Sequence, residues 1–150
     1  MTHKRKALVQ SSFEKVRPIA DVAVDLFYDR LFAIDPSLRV LFRHDRKEQG
    51  RKLMHMIGVV VKGLDNLQQL LPVVEELGRR HAMYGVKNEH YDTVGAVLLW
   101  TLEQGLGPDF TPEAMEAWAA LYGQLSDVMR RASKTESEAN ETNLEPVVVA

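Results

Sequence analysis

Apolar residues recur at helical spacing through most of the first 133 positions of this 150-residue chain, and no stretch alternates as a strand would. Val9, Phe13 and Val16 mark a first amphipathic helix, stopped by Pro18. Pro18 also sits near the first turn of a second helix. That helix carries Val24, Tyr28 and Leu31 on one face, broadened by Leu26, Phe27 and Phe32. Asp35 caps a short helix that begins on Pro36 and ends on Leu41-Phe42. The charged run from Arg43 to Glu48 reads as a loop. From about Lys47 to Lys62, Gln49, Leu53, Ile57 and Val60 line one helical face. Met54, Met56, Val59 and Val61 make much of that helix's circumference apolar, which predicts deep burial.

Asp65-Asn66 marks a turn, and the helix from Leu67 to Ala82 follows, with Pro72 close enough to its start to be tolerated or to set a slight kink. His90-Tyr91 opens another helix, with Tyr91, Val94, Leu98 and Leu102 along one side, stopped by Gly105-Leu106-Gly107-Pro108. Thr111-Pro112-Glu113 is a strong helix start: a hydroxyl cap, a proline at the first position and an early acid. Met115, Trp118, Tyr122, Leu125 and Met129 then step by three and four, predicting a last helix to about Ala132. The domain is therefore all-α and spans residues 1–133. Steeply crossing helices or a simple bundle would both fit, but a bundle has no need of the short helix begun by Pro36. Residues 134–150 are polar and acidic, without helical period before Val147-Val148-Val149, and read as a disordered tail.

Composition narrows the class rather than the function. A chain of this length forms one domain that buries about 70% of its unfolded surface. Its 45% hydrophobic and 27% charged content is ordinary for a soluble globular protein. A net charge of −2 offers no global attraction to nucleic acid or an anionic membrane. The absence of cysteine excludes disulfides, thiolate chemistry and Cys-based zinc sites, and fits a reducing cytoplasm. No apolar segment follows the basic start Met1-Thr2-His3-Lys4-Arg5-Lys6, so no signal peptide is read, and no apolar run approaches 18 residues.

Chemistry concentrates in Leu77-Gly78-Arg79-Arg80-His81-Ala82-Met83-Tyr84-Gly85-Val86. Leu70, Val74, Leu77 and His81 lie along one apolar stripe, and Gly85 is a natural helix stop just beyond. A histidine aimed inward from a last turn is either a core residue with one polar partner or a metal ligand. One histidine cannot hold zinc or non-haem iron alone, but it can hold a haem iron, whose porphyrin supplies four nitrogens.

Several stretches, in order and at matching spacing, carry a resemblance. Phe27-Tyr28-Asp29-Arg30-Leu31-Phe32, Asp35-Pro36-Ser37-Leu38 and Leu41-Phe42 resemble the second and third globin helices. Gln49-Gly50-Arg51-Lys52-Leu53-Met54 resembles the distal helix. Gly78-Arg79-Arg80-His81, Tyr84-Gly85-Val86 and His90-Tyr91 resemble the proximal helix and its corner. From about Leu8 to Ala132 the chain is similar to single-domain bacterial globins related to the flavohaemoglobin globin domain, closer to the Hell's Gate type than to myoglobin. The resemblance implies a three-over-three helical sandwich around a pocket for haem b.

It further implies His81 as the iron ligand, Phe42 as the aromatic that wedges the haem, Tyr28 and Gln49 as the distal polar pair, and Leu53 as the apolar residue over the iron. Tyr91 would support His81, while Lys52 and Arg80 could reach the haem propionates. Under the plainer alternatives Tyr28 and Leu53 are core residues, and Gln49, Lys52 and Arg80 are solvated. His55 points away from the ligand face, His44 could swing in as a sixth ligand, and Trp100 and Trp118 read as packing. The chain departs from the family in two places. The segment from Phe42 to Gln49 is about three residues shorter than in flavohaemoglobins, and Ser133 stands where those proteins place a glutamate near the proximal histidine.

The ligands implied are O2, nitric oxide and CO. Phenol and amide donors would together stabilise the negative charge on bound O2 by about 2–5 kcal/mol, which suits chemistry or sensing better than delivery. The implied function is nitric oxide dioxygenation to nitrate, with electrons from a separate reductase because no GxGxxG pattern is present. The alternative is reversible O2 binding for storage, scavenging or sensing. A haem-free interaction module would leave Tyr28, Gln49, Leu53 and His81 without a purpose.

Overall fold

A computed structural model describes residues 1–42 and 45–143. Among these, six α-helices follow one another: α1 (His3–Val16), α2 (Ala20–Ile34), α3 (Arg46–Lys62), α4 (Leu67–Met83), α5 (Asn88–Leu106) and α6 (Pro112–Asn143). Short 3-10 segments at Arg17–Ile19, Pro36–Leu41, Leu64–Asn66 and Gly107–Asp109 turn the chain between them. No described residue is in a strand.

Local chemistry accounts for most boundaries. The Thr2 hydroxyl accepts from the Arg5 backbone N–H and caps α1. Pro18 lies in the first 3-10 segment, so α2 starts at Ala20, two residues after it. Asp35 accepts from both the backbone N–H and the hydroxyl of Ser37, pinning the segment that begins on Pro36. Pro72 is tolerated inside α4, which continues through it. Gly85, at φ +90°, closes a Schellman motif: Val86 N–H donates to the His81 carbonyl and Gly85 N–H to that of Ala82. The glycine read as a helix stop thus anchors the histidine's own backbone.

Two expectations are corrected. Arg46 to Glu48 belong to α3 rather than to a loop. α6 runs to Asn143, so residues 134–143, read as part of a disordered tail, continue the helix. Their polar, acidic sequence extends a helix whose first turns are already packed, since adding a residue to a formed helix costs far less than nucleating one. Residues 144–150, including Val147-Val148-Val149, lie outside the described residues.

The helices form a three-over-three sandwich, in which α1 and α4 lie against α6 and α2 lies against α5. α4 against α6 is the most extensive contact. One core joins Val9 and Phe13 of α1, Val60 and Val61 of α3, Leu102 of α5, and Trp118 and Leu121 of α6. Trp118 is buried there as packing, its indole N–H donating 2.7 Å to the Ser12 hydroxyl. A second core gathers Val24, Phe27, Tyr28, Leu31 and Phe32 of α2 with Leu38 and Val97.

Glycine permits two of the tight crossings. At Gly50 the backbone of α3 is pressed on Val24 of α2. At Gly78 a Cβ would lie 2.5 Å from the Met129 carbonyl oxygen and 2.7 Å from its Cα. The obstacle at Gly78 is backbone, so Gly78→Ala must push α4 off α6. The expected cost is about 1–3 kcal/mol, a fall in Tm of roughly 2–10 °C for a chain of this size, read by thermal unfolding.

Candidate functional site

α4 brings His81 to its last turn, half-buried. Its Nδ1 lies 2.7 Å from the Leu77 carbonyl oxygen. A carbonyl only accepts, so Nδ1 carries the proton and Nε2 keeps its lone pair. Nε2 has no hydrogen-bond partner among the described residues. Burial pushes the imidazole pKa below its usual value, against the opposing pull of the Leu77 bond. His81 is thus held neutral, in one tautomer, with a free donor atom. No group of three or more His, Cys, Asp or Glu residues that could hold a bare metal ion occurs among the described residues.

Tyr91, near the start of α5, lies beside His81 with its ring nearly parallel, the centroids 6.2 Å apart at 22°. Its hydroxyl is 3.1 Å from the Ser133 hydroxyl, which in turn donates 2.8 Å to the Gly78 carbonyl. Ser133 has spent its proton on that carbonyl, so Tyr91 must donate to Ser133. The tyrosine touches His81 through its face, and its proton points to α6. Tyr122 donates to the Tyr91 backbone carbonyl, and the Arg130 guanidinium, bonded to Asp92, lies 5.4 Å over the Tyr91 ring.

The other expected group is assembled by α2, α3 and the Pro36–Leu41 segment. Tyr28 is 3% exposed and meets Phe42 edge-on at 5.5 Å, while Phe42 also packs against Phe32. Leu53 packs against the same cluster from α3. Gln49, one turn earlier on that helix, is half-buried. Val24 and Tyr28 are one turn apart on α2, so the close approach at Gly50 is what carries Gln49 and Leu53 toward the tyrosine. Neither the Tyr28 hydroxyl nor the Gln49 amide hydrogen-bonds to any described residue. Burial raises the Tyr28 phenol to about 12, opposed by the charge of Arg46, so it is a protonated donor throughout the neutral range.

α5 links the two groups: Tyr91 stands beside His81, while Val94, Val97 and Leu98 belong to the core around Tyr28. A second link is the approach of Leu41 to Gly85, where a Cβ on the glycine would lie 3.9 Å from Leu41 Cδ2. Lys52 and Arg80 are exposed and pair along their own helices, Lys52 with Glu48 at 3.7 Å and Arg80 with Glu76 at 3.5 Å. His55 is exposed, Trp100 is half-buried under the Arg30 guanidinium, and His44 lies outside the described residues.

Sequence reasoning missed Arg46. Its guanidinium bonds Asp29 at 2.8 Å and lies 5.9 Å from the Tyr28 ring centroid. Nothing in a run of charges separates that cation from its neighbours, because its partner sits 17 positions away on another helix. Arg130 with Asp92 escaped for the same reason. Ser133 was singled out in the sequence only as a departure from the family's glutamate; its bonds to Tyr91 and Gly78 were not readable there.

A three-over-three helical sandwich with one inward histidine on its fourth helix and a phenol on its second is the architecture of globins. The family model for Globin matches residues 25–129, and this chain belongs to that family. It is 34% identical over 127 residues to the Flavohemoprotein of Bordetella parapertussis, covering 83% of this chain and 32% of that protein. It is 30% identical over 130 residues to that of Bacillus subtilis, covering 85% and 33%. The chain therefore spans about a third of the length of these curated relatives. Among solved structures, an engineered carbene transferase from Rhodothermus marinus, provisionally named a nitric oxide dioxygenase, superposes with TM-score 0.80 at 24% identity, over 97% of this chain and 99% of its own. A bacterial globin from Campylobacter jejuni gives 0.78 at 22% identity, over 91% and 99%. These two likenesses establish the fold. No described helix is long and apolar enough to cross a membrane.

The depressed His81 pKa has a thermodynamic consequence. Unfolded His81 binds a proton more readily than folded His81, so its contribution to stability is complete above about pH 6.5 and is lost as pH falls below that value. In urea unfolding of the ligand-free chain, the stability gap between wild type and His81→Gln should narrow from pH 7.5 to 5.5, by at most about 1.4 kcal/mol per pH unit. A gap independent of pH would show that His81 titrates as in the unfolded chain.

Proposed function

We propose that this chain holds one haem b through His81 Nε2, binds O2 tightly, and supports the dioxygenation of nitric oxide to nitrate with electrons from a separate reductase. The observation that carries the reading is a pair of unused groups. His81 presents a neutral nitrogen with a free lone pair, and Tyr28 presents a buried phenol with no partner among the described residues. A core histidine or a core tyrosine would normally satisfy those atoms within the protein. The kinship with flavohemoproteins supports the reading.

Haem, when bound, supplies the iron that takes the diatomic ligand and the one electron that nitric oxide and O2 need to become nitrate. The chain supplies the surroundings. His81 would hold the iron through Nε2, its imidazole oriented by the Leu77 carbonyl and the Tyr91 ring. Phe42 would wedge the haem and Leu53 would keep bulk water from the ligand. Tyr28 donates to the negative end of the ligand, and Gln49 either donates as well or accepts from Tyr28 and orients it. Lys52 and Arg80 serve the propionates by exchanging their Glu48 and Glu76 partners. A small apolar cavity of about 30 Å³, lined by Leu53, Phe27 and Leu98 among others, leaves room behind Leu53 for a small apolar gas. CO binds the same place but gains less from Tyr28, because it carries less negative charge.

The test mixes oxygenated protein with stoichiometric nitric oxide and counts nitrate per haem. One nitrate should form and turnover should stop until a reductase and a nicotinamide donor are added. Stable oxygenated protein without nitrate would leave reversible O2 binding as the function. His81→Ala should abolish stable haem retention unless imidazole is supplied, and full retention with an unchanged Soret band would remove His81 as the ligand. Because the chain has no cysteine for thioether attachment, acid-organic extraction should remove all the haem.

Tyr28→Phe should speed O2 release about tenfold to a hundredfold, the worth of a hydrogen bond to a charged acceptor. Gln49→Leu should speed it less, because an amide on a three-torsion side chain is a looser donor than a buried phenol. Stopped-flow displacement of O2 by CO measures both rates. An unchanged rate in Tyr28→Phe would return that residue to the core.

A further inference from the structure

The bonds around Tyr91 run in one direction and end on the turn that carries His81. Tyr91 donates to Ser133, and Ser133 donates to the carbonyl of Gly78, three residues before the histidine. At that same glycine the backbones of α4 and α6 are already too close for a Cβ. The Tyr91 ring lies nearly parallel to the imidazole with the Arg130 guanidinium over it, and Tyr122 donates to the Tyr91 backbone carbonyl. Among the described residues the imidazole makes one hydrogen bond, from Nδ1 to Leu77, which fixes its tautomer but leaves it able to rock about that bond.

We infer that Ser133 is a positioning residue for His81: its hydroxyl locks the Tyr91 ring against the imidazole and ties the turn that carries the histidine to α6. The Gly78–Met129 contact holds the two helices at a distance where a hydroxyl on a short side chain spans the gap. Ser133 is half-buried and Tyr91 is 5% exposed, so water competes poorly for either hydroxyl. A serine at this place holds the ring with two neutral bonds. The acceptor facing His81 Nδ1 stays a backbone carbonyl, and the charge nearby, on Arg130, is balanced by Asp92.

Three variants separate positioning from bracing. Ser133→Ala removes both bonds, Tyr91→Phe removes only the tyrosine's, and Ser133→Thr keeps the hydroxyl. Exchange of the His81 Nδ1 proton and relaxation of its ring, measured by NMR on the full chain whether haem-free or loaded, read the imidazole directly. Both Ser133→Ala and Tyr91→Phe should speed exchange severalfold and loosen the ring, and Ser133→Thr should behave as wild type. In the ferrous, ligand-free haem form, where the inference rests on the haem reading above, the iron–histidine stretching band should shift or broaden in the same two variants. Absence of that band from wild type would defeat the haem reading but leave the NMR result to decide the positioning role. Overturning results are a lowered Tm in Ser133→Ala with wild-type ring dynamics, failure of Ser133→Thr to restore them, or Tyr91→Phe indistinguishable from wild type. Any of these would make Ser133 a brace for the α4–α6 contact alone.

Discussion

The contact of α4 with α6 at Gly78 is the constraint on which the histidine's surroundings depend. It is a backbone-to-backbone approach, and a methyl group in its path would meet a carbonyl oxygen at 2.5 Å. Because neither backbone can yield by changing a rotamer, the distance between the helices is set within narrow limits. The Ser133 hydroxyl then reaches the Gly78 carbonyl, and the Tyr91 hydroxyl reaches Ser133. The last turn of α4 is closed at its other end by the Schellman pair at Gly85, whose six-to-one bond falls on the carbonyl of His81 itself. The histidine sits between these two anchors, so its position is rigid although the side chain makes a single hydrogen bond.

A similar device operates across the molecule. Gly50 lets α3 press on Val24 of α2, and one helical turn on each side of that contact lie Leu53 and Tyr28. Gln49, Leu53 and His81 each lie one to three positions from the glycine at which their helix makes its close approach. Among the described residues, His81 Nε2, the Tyr28 hydroxyl and the Gln49 side-chain amide have no hydrogen-bond partner, where core residues would normally have one. Electrostatically the two sides agree. Burial holds the imidazole neutral and the phenol protonated, and the nearby cations Arg46 and Arg130 are balanced by Asp29 and Asp92. The proposed site would act through dipoles and one lone pair, without a net charge of its own.

All six helices were legible in the chain because each carries an apolar stripe of period near 3.6, with Pro36, Gly85 and Thr111-Pro112 marking ends by local stereochemistry. His81 and Tyr28 were legible as inward-facing polar residues on such stripes, and the family resemblance turned them into a site. The end of α6 was misjudged because residues 134–143 carry no apolar stripe, and extension from turns already packed leaves no pattern in the sequence. Ser133 was visible as a departure from the family's glutamate. Its actual work, between Tyr91 and Gly78, was not, because those partners lie 42 and 55 positions away.

The sequence by itself determined which segments are helical, which face of each turns inward, and which residue types are available for chemistry. Those properties follow from local periodicity and from the stereochemistry of single residues. Only the tertiary structure decided which inward polar atoms are consumed by the protein and which are left over. That depends on distances between helices, and here those distances are set by two glycines whose significance comes from what lies opposite them. Met129 opposite Gly78 and Val24 opposite Gly50 are far away in the chain and adjacent only after folding.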